Sequence, residues 1–412
     1  MRGFNAQRGV EGEYQGSASI LCSRKIEPMN ILQVISSIDP RGGGTVESIH
    51  QFGIFLTKMG HCVEVVCLDD PDAPWLASFP LKTYALGTGK TLYYYSPALM
   101  PWLKENAPRY DAVIVNGLWQ YPGFAVWRAL HGTTTPYFVY THGMLDPWFK
   151  RAFKLKHFRK SLYWPWGEYR VLRDAKAVLF TCEEERLLAP QSFRLYRANG
   201  VIAPLGIEGA VGNAVVQKEA FLSHFPELRG KRLILFLGRI HVKKGCDLLI
   251  EAFAQVAADD PELHLVMAGP DEVGRQAELE ARVSALGIAG RVSWPGMLLG
   301  DLKWGGFHAS DVFSLPSHQE NFGFAVAEAL ACSLPVLISN KVNIWREIQE
   351  DGAGLVANDT LEDTRHTLQQ WVGMSTTAKQ EMRQNALLCF RRRFEIAQAA
   401  ENLLAKIGYS ET

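Results

Sequence analysis

The sequence predicts an α/β protein of two doubly wound parallel-sheet domains, each Rossmann-like, facing each other across a cleft. Three observations carry this. Short continuous apolar runs recur along the chain, as strands buried on both faces require, and they alternate with stretches of helical periodicity. The same opening, an apolar run followed by a glycine-bearing loop and a helix, occurs twice, near residue 30 and again near residue 233. Between the halves lies NGVIAPLGIEGAVGN (199–213), rich in glycine and without periodicity.

In chain order, NILQVIS (30–36) reads as the first strand, RGGGT (41–45) as the glycine loop, and Val46 to Leu56 as the helix after it. Further strands are predicted at 61–68, 111–116, 137–141 and 175–181. The second half opens with LILFLG (233–238), the loop RIHVKKG and the helix CDLLIEAFAQVA (246–257). Its later strands fall at 263–269, 291–296, 311–317, 334–339 and 354–356. The expected division is a loose tail at 1–28, a first domain at 29–205, a second at 206–388 and a closing helix at 389–412. Ligands of such folds sit at the carboxyl ends of the strands, inside the cleft.

Composition narrows the function classes. Of 412 residues, 47% are apolar and 21% charged, which excludes a disordered chain. The 43 basic and 43 acidic residues balance, against the basic excess of a nucleic-acid binder. Cysteines 22, 62, 67, 182, 246, 332 and 389 are scattered and form no Cys-x-x-Cys pair, so they read as reduced, mostly buried thiols of a cytoplasmic protein. The apolar stretch Phe322–Ile338 is broken by Glu328, Ser333 and Pro335, too short for a clean membrane span. The first 28 residues have no useful apolar h-region, and Met29, opening the first strand, is an alternative translation start.

The most informative stretch is PSHQENFGFAVAEAL (316–330), where a strand ends and a helix begins near Phe322. Free N–H groups of Asn321, Phe322 and Gly323 are expected to point into the cleft and favour an anion. Glu320 and Glu328 are eight residues apart, a helical rise of roughly 12 Å, which suits a sugar and a ribose with a diphosphate between. The plain alternative is a solvated glutamate pair, but a lone carboxylate among Ala325, Val326, Ala327, Ala329 and Leu330 is costly without a partner. In GRIHVKKG (238–245), Arg239 and Lys244 can converge on a diphosphate; the plain alternative is a solvated basic loop, and the spacing is not that of a P-loop.

The GRI…KKG loop, AGPD (268–271) and the E-x7-E pair within SHQENFGFAVAEALACSLPV together resemble the retaining GT-B glycosyltransferases of family 4, the group 1 glycosyltransferases. The resemblance extends from Met29 to the C-terminus. It implies that Arg239 and Lys244 bind the donor diphosphate, that Glu320 contacts the donor sugar and that Glu328 binds the ribose. It further implies a nucleobase pocket at Gly296, Met297 and Leu298, and a glycine loop at Gly43 and Gly44 beside the donor phosphates and acceptor. The first domain would then take the acceptor and the second the donor, with the last helix crossing back to the first domain. The implied reaction moves a sugar from a nucleotide-sugar, a UDP- or GDP-sugar, to an acceptor hydroxyl with retention, by front-face attack, with no further cofactor and no metal. The acceptor would be a glycan or glycolipid of polysaccharide biosynthesis.

His142, in YTHGM (140–144), lies just past a strand end. Single histidines are mostly structural, but the resemblance gives its HG pair a contact with the donor sugar, and Asp146 nearby is a weaker candidate for orienting the acceptor. A dinucleotide site is the competing reading of the first loop. It fails because the third glycine of GxGxxG would fall at Glu47, although Asp69 or Asp70 keeps it open. The stretch 150–173 holds eight Lys/Arg against one acid, interleaved with Phe153, Phe158, Tyr163, Trp164 and Trp166. It reads either as a surface helix with its aromatics packed inward or as a cationic face for anionic lipid or a lipid diphosphate acceptor. An alternative of a different class is a GT-B protein that binds nucleotide-sugars without being a transferase, epimerase-like or catalytically silent.

Overall fold

The computed structural model describes residues 27–89, 91–258 and 260–408. The expected loose tail therefore lies outside the described residues except at its last two positions. Among the described residues the strands form two wholly parallel sheets. The first is ordered β3-β2-β1-β4-β5-β6-β7, from β1 (Asn30–Val34), β2 (Cys62–Cys67), β3 (Lys82–Ala85), β4 (Ala112–Asn116), β5 (Tyr137–Tyr140), β6 (Ala177–Phe180) and β7 (Gly200–Ile202). The second is ordered β10-β9-β8-β11-β12-β13, from β8 (Arg232–Leu237), β9 (Leu263–Ala268), β10 (Val292–Gly296), β11 (Val312–Leu315), β12 (Val336–Ser339) and β13 (Gly354–Ala357).

The central strands are the continuous apolar runs. Ile31, Leu32 and Val34 of β1 and Ile234, Leu235 and Phe236 of β8 are fully buried, because helices cover both faces of each sheet. In each sheet the strand order reverses beside the first strand, between β1 and β4 and between β8 and β11. Connections on either side of such a switch point diverge to opposite faces and leave a crevice at the carboxyl ends. The loops after β1 and β4 open onto one crevice, and the loops after β8 and β11 onto the other. Those last two are the segments the sequence singles out, 238–245 and 316–323.

Two edge strands were not expected. β3 (KTYA) and β7 (GVI) are short and have no fully buried positions, since each has a neighbour on one side only. β7 falls inside the glycine-rich stretch read from sequence as a boundary.

The C-terminal segment explains how the halves are coupled. A helix at Thr376–Cys389 passes through a π turn at Phe390–Phe394 into a helix at Ile396–Ile407. At the crossing, Ile207 N–H donates to Phe394 O (2.9 Å) and Ile396 N–H to Ile207 O (3.0 Å). The last helix then buries Ile396, Ala399, Ala400, Leu403, Leu404 and Ile407, packing on the first domain's helix Gly44–Lys58. Among the described residues no helix is long and apolar enough to cross a membrane. Cys67, Cys182, Cys246, Cys332 and Cys389 are buried free thiols, and Cys62 is an exposed one.

Candidate active site between the two domains

On the second-domain side, Gly245 sets the geometry. It caps the helix Cys246–Ala257 with φ 65°, and a Cβ there would lie 2.2 Å from Pro316 O. Only glycine lets the 238–245 loop lie this close to the loop after β11. The approach brings Lys244 Nζ into contact with a Glu320 carboxylate oxygen, as a largely buried ion pair. Burial pushes the Lys244 ammonium down, to about 7, and Lys243 and Arg239 push the same way; Glu320 is the counter-charge. Arg239 instead reaches outward to Glu272 (3.3 Å), with both side chains more than half exposed. The convergence of Arg239 and Lys244 expected from sequence is thus one of neighbouring loop positions, not of two ammonium and guanidinium groups already aimed at one point.

The helix after β11 begins at Phe324, capped by Gly323 at φ 72°. Glu320 precedes it, in a short pairing with Val342, so only part of the separation between Glu320 and Glu328 is helical. This corrects the spacing argument, which treated all eight residues as helix. Among the described residues, the N–H groups of 321–325 find no protein acceptor, so the helix end presents unsatisfied donors beside the Lys244–Glu320 pair. Glu328 is not the lone carboxylate the sequence suggested. Lys303 Nζ pairs with it at 2.8 Å, and burial pushes the Glu328 carboxyl up while Lys303 pulls it back. Glu328 is thus one half of a mostly buried charged pair and already has a partner without a ligand.

On the first-domain side, the loop after β5 supplies His142 and Gly143. His142 has φ 46°, stacks on Tyr140, and places Nε2 3.1 Å from Asn116 Oδ1. The Asn116 amide donates to Gln33 Oε1 (2.8 Å), which leaves Oδ1 as an acceptor, so His142 Nε2 carries the proton and Nδ1 keeps its lone pair. Burial pushes the His142 pKa down to about 4, so the ring is neutral near pH 7. Gly43 caps the helix Gly44–Lys58 at φ 67°, and a Cβ on Gly44 would lie 3.0 Å from the Phe324 ring of the other domain.

Several contacts clasp the two walls together. Gln319 Nε2 donates to Asp146 Oδ2 (3.3 Å), Asn321 Nδ2 to Thr181 Oγ1 (3.1 Å), and Arg346 pairs with Glu184 (2.6 Å). Asp146, proposed from sequence to orient an acceptor, also accepts from Trp148 N–H and so serves this junction. Between the walls is a cavity of about 180 Å³ that brings together Gly44, His142, Glu320, Asn321, Phe322 and Gly323. Gly43, Arg239, Lys244, Glu328 and the 296–298 turn lie outside its lining; the lysine that lines it is Lys243, and Lys244 reaches it only through its pairing with Glu320. In that turn Gly296 has φ 70°, Met297 is 63% exposed, and Leu298 is buried against Gly306. Asp69, considered for a dinucleotide ribose, accepts from Ser37 Oγ (2.6 Å) and Ile38 N–H (2.8 Å), and is engaged inside the first domain. Sequence reasoning missed Lys303, Asn116 and Gln319. Only Asn116 left a signal, as a polar residue closing the apolar run DAVIVN.

Two switch-point domains face to face, with a helix N-terminus and a buried ion pair at the seam and a C-terminal helix crossing back, define the GT-B fold. Solved structures of the same architecture include Anabaena Alr3699/HepE in complex with UDP and glucose (16% identical, 93% of this chain and 100% of that one, TM-score 0.72). WaaG, described as a glycosyltransferase involved in lipopolysaccharide biosynthesis, is 17% identical over 92% of this chain and 100% of its own, with a TM-score of 0.68. Residues 43–206 match the family "Glycosyl transferase 4-like domain", and residues 218–387 match "Glycosyl transferases group 1". The chain belongs to the group 1, family-4-like glycosyltransferases. Among curated relatives, the D-inositol 3-phosphate glycosyltransferase of Rhodococcus jostii (strain RHA1) is 34% identical over 34% of this chain and 32% of its own length. The match thus spans about a third of that relative. The GDP-mannose-dependent alpha-(1-6)-phosphatidylinositol dimannoside mannosyltransferase of Mycobacterium tuberculosis (strain ATCC 25177 / H37Ra) is 24% identical over 92% of this chain and 96% of its own.

Proposed function

We propose that the protein transfers a glycosyl unit from a nucleoside-diphosphate sugar, a UDP- or GDP-sugar, to a hydroxyl of a glycan or glycolipid acceptor, with retention at the anomeric carbon. The observation that carries this is the seam itself, where Glu320, paired with Lys244 behind it, and the unsatisfied helix N–H groups meet a neutral histidine across the cleft. A diphosphate placed at the N-terminus of helix Phe324–Ala331 meets Lys244 and the N–H groups of 321–325. In taking Lys244 it releases Glu320 to accept from the donor sugar, while Arg239 swings from Glu272 onto the phosphates. Glu328, held by Lys303, accepts from the ribose diol, with the base at 296–298 and Gly43 and Gly44 closing over the phosphates. His142 Nδ1 accepts from a sugar hydroxyl. The bond from the anomeric carbon to the diphosphate breaks and its electrons leave with the phosphate. The acceptor oxygen attacks from the same face, and its proton passes to the departing phosphate oxygen. No metal or further cofactor enters this reading.

The same reading places the protein in the cytoplasm, with 150–173 resting on an anionic membrane face. The aromatics of that segment do not all pack inward. Trp164 is buried, whereas Phe153, Phe158 and Trp166 are largely exposed beside Lys154, Lys156 and Arg159. The test is product analysis with UDP- and GDP-sugars and a glycolipid extract. The expected product keeps the donor's anomeric configuration, read from its proton coupling constant, and disappears in Lys244→Ala. An inverted product contradicts retention, and an unaffected Lys244→Ala contradicts the site.

A further inference from the structure

The first domain carries a second, larger cavity that no part of the transfer reading uses. It has a volume of about 770 Å³ and is walled by Tyr93, Leu118, Trp119, Met144 and Tyr163. Its rim is cationic, made by Lys156, Arg159 and Lys160 of the helix Lys154–Tyr163. Among the described residues none of the three is ion-paired. Lys160 Nζ sits 4.1 Å from the centroid of the Trp119 ring, over its face.

The cavity is built, not incidental. Trp119 has φ 73°, a conformation costly for a bulky side chain. Its N–H is held there by Glu168 Oε1 at 2.7 Å, a carboxylate with no exposed surface whose other oxygen has no partner. Among the described residues, five non-glycine residues have positive φ: Thr91, Tyr94, Trp119, His142 and Ser333. All but Ser333 lie on loops around this cavity and its neighbours. Local strain of this kind persists where the surrounding structure over-determines a shape.

Position connects the cavity to the active site. A third, polar cavity of about 460 Å³, lined by Ser37, Asp39, Arg41, Asn116 and Gln120, shares Gln120 and Met144 with the apolar one. Met144 also lines the seam cavity beside His142. The three cavities are thus neighbours, with Met144 a wall of the seam, of the polar chamber and of the aromatic chamber with its cationic rim. The helix Lys154–Tyr163 has two faces: Lys156, Arg159, Lys160 and Tyr163 line the chamber, and Leu155, Phe158 and Leu162 stand 69%, 61% and 62% exposed on the other side.

We propose that these two chambers are the acceptor site, and that the acceptor is an amphiphile in which a hydroxyl-bearing head is joined through a phosphate to an apolar chain. The head occupies the polar chamber, the phosphate meets Lys156, Arg159 and Lys160, and the first part of the chain lies against Trp119 and Tyr163. This rests on the transfer reading only in calling the ligand an acceptor; the binding chemistry stands by itself.

The experiment is calorimetric titration of the full chain with dodecyl phosphate below its micelle concentration, beside dodecyl maltoside and inorganic phosphate. The expected result is saturable binding of dodecyl phosphate about tenfold or more tighter than either other probe. Lys160→Gln combined with Arg159→Gln should weaken it by about tenfold or more, and Arg159→Gln alone, on an exposed side chain, serves if the double variant does not fold. Leu155→Ser with Phe158→Ser should lower sedimentation with anionic vesicles and leave the titration unchanged. Equal binding of the maltoside, binding of phosphate alone with the same affinity, indifference to the cation variants, or loss of binding in the Leu155/Phe158 variant each overturns the proposal. UDP and GDP thermal shifts on the same samples separate the two readings. A retained nucleotide shift with no dodecyl phosphate binding removes the acceptor site alone, and the converse removes the donor site alone.

Discussion

An ideal Cβ on Gly143 would lie 2.8 Å from Asn321 of the opposite domain, and the residue has φ 73°. Gly143→Ala is therefore expected to cost about 1–3 kcal/mol in urea unfolding and to lower transfer more than that loss explains, because it wedges the seam open. Two buried groups give pH dependences of opposite sign. His142 is depressed from its ordinary 6.5 to about 4, so its contribution to stability is present above 6.5 and is lost as pH falls from there toward 4. Glu168 is raised from 4.5 to about 7, so its contribution is present below 4.5 and is lost as pH rises toward 7. Unfolding between pH 4.5 and 8 should show Glu168→Gln gaining on the wild type with rising pH, by up to about 3 kcal/mol. His142→Gln should gain with falling pH, and a flat difference for either variant contradicts the assigned environment. At this scale the sequence was legible where chemistry is local. Glu320, Lys244 and His142 could be named from their loops, whereas Lys303 pairs with Glu328 from another helix, and no spacing along the chain reveals that.

Elements were legible in proportion to how much of them is buried. The central strands read directly because both faces are covered, while β3 and β7, at the sheet edges, carry Lys82 and Gly200 and offer no apolar run. The closing helix Ile396–Ile407 is strongly amphipathic, and Leu403 is 1% exposed on its buried face. Leu403→Ala is expected to destabilise by about 3 kcal/mol, and calorimetry should resolve a first domain that unfolds earlier, since the helix belongs in sequence to one half and in space to the other. A single undisturbed transition would contradict that coupling role. The helix Lys154–Tyr163 was legible as cationic and aromatic, but which aromatics face inward depends on Tyr93 and Phe193, distant in sequence, against which Tyr163 and Trp164 pack.

At the scale of the molecule, two crevices become one site only because the domains meet. The contacts across the seam are both polar, as in Gln319–Asp146, Asn321–Thr181 and Arg346–Glu184, and apolar, as in the Phe324 ring against Gly44. That the halves share an opening was visible in the sequence, and the family resemblance implied that His142 meets the donor; the side-chain contacts that set the domains against each other, such as Asn321 to Thr181, were not visible, because they join residues distant along the chain. The central claim is that the seam binds a nucleoside diphosphate through Lys244, the helix N-terminus and Glu328. The most direct measurement is the thermal shift of the wild type and Glu328→Ala against UDP, GDP, ADP and NAD, since a ligand that binds only the folded state raises the midpoint by mass action. The account predicts a rise with UDP or GDP that shrinks or vanishes in Glu328→Ala. A rise with NAD alone, equal in both proteins, would contradict it.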